Sequence, residues 1–177
     1  MAEIDDLARL KEELREWARV HAYFESRIGF AEAHEALVAE HIRAAGWTCG
    51  PWGQALLTDE LRDALRATDC PARWSPDLLA VHGVRWLFVD AKAEIRTDTP
   101  NFSIELSAFR SHVAWRDANR QLGSFVYVWD DLTCSYIEDL EDGQIKVGEY
   151  HGSGSGTPFG LVSKTVTRPF ESVFGVA

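Results

Sequence analysis

The chain has 177 residues, 46% of them hydrophobic and seven of them Trp, with a formal net charge of −10. That is enough apolar material for one buried core and excludes a chain disordered throughout, while the acidity works against holding a polyanion by diffuse charge, which draws on Lys and Arg. Cys49, Cys70 and Cys134 fit neither a zinc pattern nor a disulfide framework, which predicts a reducing compartment. The charged opening MAEIDDLARLKEEL, and the lack of any apolar run near the ~20 residues of a membrane span, predict a cytoplasmic location with no membrane partner.

In chain order, Leu7, Leu10, Leu14, Trp17, His21, Phe24 and Ile28 recur at alternating spacings of three and four. This predicts a long N-terminal amphipathic helix that either packs on its own domain or pairs with a second copy in a homodimer. After Gly29, FAEAHEALVAEHIRAAGW predicts a second helix with Phe30, Ala33, Leu37, Ile42 and the alanines on its apolar side, ended by Gly46. Thr58 then caps DELRDALRAT, with Leu61 and Leu65 inward and Arg62 and Arg66 outward. SPDLLAVHGVRWLFVDAKAEI reads as a hairpin turning at His82-Gly83, and a helix from about Ser107 to Gln121 leads into the apolar strand SFVYVWDD. TCSYIEDL and GQIKVGEYH resemble edge strands, and GSGSGTPFG is a loop before the last segment. The alternation predicts an α/β (α+β) fold, a central mixed sheet flanked by helices, in a single domain. Within it, residues 1–28 form the N-terminal helix, 29–135 the core, and 136–177 the C-terminal strands and the Gly/Ser loop.

The hairpin carries three charges, Asp77, Asp90 and Lys92, which are costly in a buried strand unless paired or bound to a metal. With a two-residue turn at His82-Gly83, Val81 pairs with Val84 and Asp77 with Phe88, so Val84, Trp86, Phe88, Asp90 and Lys92 share a face with Asp77. Asp77 is then diagonal to Asp90 at the open end of the hairpin. A three-residue turn would destroy that parity. Two neighbouring carboxylates repel unless a cation lies between them, and such hard oxygen donors suit Mg²⁺ or Mn²⁺. A lysine beside them orients water or stabilises negative charge developing on a phosphate. A plain Asp–Lys pair at an exposed sheet end is the alternative.

Pro76-Asp77, twelve intervening residues, then Asp90-Ala91-Lys92 at the end of an apolar strand resembles the core motif of the PD-(D/E)xK nuclease superfamily, the restriction-endonuclease-like fold. HEALVAEHIRAAGW, with Glu35 eleven residues before Gly46, is similar to the archaeal Holliday-junction-resolvase branch. The resemblance implies a Mg²⁺- or Mn²⁺-dependent nuclease with Asp77, Asp90 and Glu35 as metal ligands and Lys92 as the catalytic lysine. Its implied partner is DNA, with RNA the lesser alternative, and an endonuclease is favoured over an exonuclease.

Around this set, Glu40 lies five residues past Glu35 on a nearly opposite helix face and is its rival, while His34 and His41 stay outside the metal site. His112, Arg116 and Arg120 recur at intervals of four as a basic stripe that either tracks a nucleic-acid backbone or is a solvated helix face. Arg96 approaches the same groove. Glu94 falls on the face of Lys92, Glu105 has no clear place, and Trp115 and Trp129 belong to the core. Two other functions compete: a non-catalytic or regulatory interaction protein of the same fold, favoured by the acidity and the N-terminal seam, and a hydrolase of RNA or nucleotide phosphodiesters.

Overall fold

The computed structural model describes residues 31–68, 70–93, 99–141, 145–148 and 158–175. The N-terminal amphipathic helix, Glu94 and Arg96 lie outside the described residues. The chain divides into units of residues 1–33 and 34–177, and the architecture that follows is that of the second.

In chain order the elements are α1 (31–44), β1 (Thr48–Pro51), α2 (Asp59–Arg66), β2 (Leu78–His82), β3 (Arg85–Lys92), β4 (Asn101–Glu105), α3 (Leu106–Asn119), β5 (Ser124–Trp129), β6 (Cys134–Tyr136), α4 (Ile137–Glu141), β7 (Ile145–Gly148), β8 (Phe159–Ser163) and α5 (Phe170–Phe174). Five strands make a mixed central sheet in the order β1-β2-β3-β5-β6. All its neighbours run antiparallel except β3 and β5, which are parallel. A parallel pair needs a long crossover, and here it contains β4 and α3. A second sheet, β4-β8-β7, joins the C-terminal strands to that crossover.

Period-two alternation in β3 and β5 separates two apolar clusters. Leu87, Val89, Ala91, Val126 and Val128 pack with Val38, Ala39 and Ile42 of α1 and with Val173 and Phe174 of α5. Phe88, Phe125, Tyr127 and Trp129 face the other way, toward Phe102, Ile104, Ile137 and Leu140. Trp129 stacks on Phe102 at 4.6 Å, and Trp115 meets Phe88 edge-on at 4.5 Å; both tryptophans belong to the core, as anticipated.

Gly46, at φ +90°, ends α1 with its N–H on the Arg43 carbonyl, a left-handed stop that favours glycine. The buried side of α1 differs in part from the expectation. Ile42 and Ala39 are buried as expected, together with His34 and Val38, whereas Ala33 and Leu37 are exposed; Phe30 lies outside the described residues. Thr58 Oγ1 accepts from Leu61 N, capping α2 as predicted, yet Leu61 is exposed and no residue of α2 is buried. Arg62 and Arg66 pair with Asp59 and Asp63. TCSYIEDL is strand only to Tyr136. Ile137 and Leu140, three apart, are both buried and turn the rest into α4, whose first-turn Glu138 and Asp139 complement the helix N-terminus.

Candidate active site

The hairpin register pairs His82 with Arg85 and Leu78 with Val89, so the turn residues are Gly83-Val84 rather than His82-Gly83. His82 stays in the strand with its ring 5.4 Å from that of Trp47, and Gly83 takes φ +58°, as a glycine-first two-residue hairpin turn requires. The correction moves each partner by two residues and therefore keeps the parity. Continued one residue beyond Leu78, the register sets Asp77 directly opposite Asp90 instead of diagonal to it.

The side chains bear this out. Asp77 Oδ2 accepts the Ala91 N–H at 2.9 Å, and the Asp77 carbonyl accepts Trp52 N–H at 2.7 Å. Asp90 is buried and forms an ion pair through Oδ2 with Lys92. Lys92 Nζ lies 6.0 Å from the ring centroid of Tyr127, the β5 partner of Asp90. His112 Nε2 approaches Asp90 Oδ1 at 3.6 Å. The three hairpin charges thus converge where the parallel strands β3 and β5 end.

Their electrostatics are mutual. Burial, then repulsion from Asp90, drives the Asp77 carboxyl well above the ordinary carboxylate range; Glu35 adds to the rise, and Lys92 and the Ala91 N–H oppose it. Burial would raise Asp90 too, but Lys92 and His112 hold it below its ordinary value. Burial disfavours the Lys92 ammonium, yet Asp90 and Asp77 keep its pKa raised, with Glu105 contributing. Glu105, unplaced by sequence, therefore acts on the lysine from the end of β4. Glu35 acts on Asp77 from α1, whereas Glu40 is exposed.

Among the described residues no three His, Cys, Asp or Glu side chains are grouped to hold a metal ion by themselves. Asp77 and Asp90 do present a two-carboxylate donor set, the kind a hard divalent ion completes with water and substrate phosphate oxygens. Asp90 Oδ2 has the Lys92 ammonium as its partner, while His34 Nε2 and Asp130 Oδ1 are buried without a hydrogen bond among the described residues.

The basic stripe is placed differently from the sequence expectation. The line of His112 and Arg116 is real, but it faces inward, leaving these residues 2% and 4% exposed. Arg116 is clamped by Asp117, Glu138 and Glu141. Arg120 alone of the three is at the surface, paired with Asp117 at 2.9 Å. Tyr127, within an apolar strand, is a site neighbour that no motif or spacing singles out.

No family model and no curated protein matches this sequence. Among solved structures the chain is similar to Hjc, a Holliday junction resolvase from Archaeoglobus fulgidus, with 10% identity and a TM-score of 0.49 over 81% of this chain and 99% of that one. It is also similar to D212, a nuclease from a fusselovirus, with 12% identity and a TM-score of 0.42 over 84% of this chain and 88% of that one.

Proposed function

We propose that the chain is a metal-dependent nuclease of the PD-(D/E)xK type that hydrolyses DNA phosphodiester bonds, acting as an endonuclease. The observation that supports this best is the convergence of Asp77, Asp90 and Lys92 at one sheet end, with Glu35 acting on Asp77 from α1. A structural ion pair needs only Asp90 and Lys92; it gives no reason to bring a second and a third carboxylate, Asp77 and Glu35, near them. Asp77 and Asp90, with Glu35 beside them, would hold Mg²⁺ or Mn²⁺. Such an ion, when bound, neutralises phosphate charge and eases deprotonation of water.

The chain's own groups supply the rest. Asp90, kept ionised by Lys92 and His112, remains an acceptor at neutral pH. Asp77 has carboxylate neighbours that favour its protonation, so a cation competes there with a proton and relieves the repulsion. Lys92, held in its charged form, aims N–H donors at the same edge, where they orient water or stabilise negative charge developing on the phosphoryl oxygens. Of the residues nominated for a nucleic-acid backbone, Arg120 is at the surface, paired with Asp117, and remains a candidate contact; Arg96 is carried over from the sequence alone.

The inward turn of His112 and Arg116 favours a second reading, a non-catalytic interaction protein of the same fold. Plasmid nicking separates the two. With Mg²⁺ or Mn²⁺ the wild-type chain converts supercoiled DNA to open circles, and Asp90→Asn and Lys92→Ala each lower the rate about 100-fold or more. A rate that survives both substitutions, or a wild-type chain inert toward DNA that nonetheless self-associates, rejects the nuclease.

A further inference from the structure

We propose that His112 and Tyr127 are positioning residues for Asp90, forming a buried phenol–imidazole–carboxylate chain that fixes one carboxylate oxygen and leaves the other for Lys92 and a cation. This rests on the nuclease reading and assigns a task to two residues outside its motif.

Three elements bring the groups together. Tyr127 lies beside Asp90 in the β3–β5 register, and α3 lowers His112 onto the pair, its ring 4.8 Å from that of Phe125. One turn along α3, Arg116 is tied to Glu138 and Glu141 of α4, so the helix is held where it delivers the imidazole. His112 Nδ1 is 2.8 Å from the Tyr127 hydroxyl, and Nε2 is 3.6 Å from Asp90 Oδ1. Tyr127 is 0% and His112 2% exposed.

The proton positions follow from what each group can do. An ionised carboxylate only accepts, so a neutral imidazole turned toward it presents Nε2–H; the opposite tautomer would set a lone pair against a negative oxygen. Nδ1 is then bare and accepts the Tyr127 O–H. The phenol selects the tautomer and the imidazole orients the carboxylate. At 3.6 Å this last contact is a charge–dipole contact rather than a full hydrogen bond; it sets the direction of Oδ1 and leaves Oδ2 facing Lys92. Partners of this kind orient metal-ligating groups, and their removal costs about 10–100-fold in metal affinity.

Calorimetric titration of the metal-free chain with Mn²⁺ tests this, alongside thermal unfolding of the same samples. His112→Phe, which keeps the ring volume next to Phe125, is expected to bind Mn²⁺ about 10–100-fold more weakly. Tyr127→Phe, which keeps the imidazole but frees its tautomer, should lose several-fold, and His112→Gln, which restores a donor, should recover part of the affinity. Equal Mn²⁺ affinity in wild type, His112→Phe and Tyr127→Phe, with only the melting temperature lowered, overturns the inference and leaves the nuclease reading intact. A wild-type chain that binds no Mn²⁺ overturns both. Should His112→Phe fail to fold, Tyr127→Phe decides the matter alone.

Discussion

The two faces of the central sheet are built by the same strands, one residue out of step, and they are opposite in character. On one, Leu87, Val89 and Ala91 of β3 meet Val126 and Val128 of β5 beneath α1 and α5, in a mainly apolar cluster that holds no ion pair among the described residues. On the other, Phe88, Asp90 and Lys92 stand beside Phe125, Tyr127 and Trp129 beneath α3. The first face supplies burial without condition. The second holds charges out of water, and a buried ion pair at best offsets its own desolvation. A single pleat therefore separates residues that stabilise the domain from residues whose retention asks for a chemical reason.

The largest effect expected on this comparison comes from breaking the pair on one side only. Lys92→Met leaves Asp90 buried with no cation and should destabilise the chain by about 3–5 kcal/mol in urea unfolding. Asp90→Asn combined with Lys92→Met should recover most of that loss, since no charge is then stranded. Leu87→Ala on the dry face serves as the reference: it costs about 2–5 kcal/mol through lost packing, with no rescuing partner and no change in Mn²⁺ affinity. If Lys92→Met cost less than Leu87→Ala and the double variant recovered nothing, the charged face would be ordinary surface.

Much of this contrast was legible in the sequence. Alternation through RWLFVDAK assigns Asp90 and Lys92 to one face, and Pro76-Asp77 falls at a separation that any odd-sum register keeps in phase, so the shift of the turn to Gly83-Val84 did no damage. The second sheet was less visible. In NFSIEL, Phe102 and Ile104 alternate into the core, but five residues running directly into a helix carry no turn signal, and the β8 partner comes more than fifty residues later. The role of His112 was hidden for another reason. Helical spacing groups it correctly with Arg116, yet spacing does not say which side of a helix faces inward, and two basic residues look like a solvent face until Asp90, Glu138 and Glu141 are in place to receive them.

A smaller effect sharpens the comparison through pH. Burial, partly opposed by Asp90, lowers the pKa of His112 from 6.5 to about 4. Between these values the unfolded chain takes up a proton that the folded chain refuses, so stability is fully present above 6.5 and falls as the pH drops toward 4, by up to about 1.4 kcal/mol per pH unit. His34 is lowered by burial as well and acts in the same direction. Urea unfolding at steps of pH should show a shallower decline for His112→Phe than for wild type, whereas Leu87→Ala, which touches only the dry face, should keep the wild-type slope.

The smallest effect lies at the turn and asks what fixes the two faces in the first place. Gly83 has φ +58° and open space where a Cβ would point, so Gly83→Ala meets no clash and costs only the left-handed backbone penalty, about 1 kcal/mol. Val84, 97% exposed, should tolerate serine within about 0.5 kcal/mol. Neither change should weaken Mn²⁺ binding. A one-residue slip would carry Leu87, Val89 and Ala91 to the side of α3 and bring Asp90 and Lys92 against Val38 and Ile42, an exchange far costlier than a strained turn. If Gly83→Ala lost Mn²⁺ affinity in step with stability, the turn would be what sets Asp77 opposite Asp90; unchanged affinity at a lowered unfolding midpoint assigns that task to the alternation of the strands.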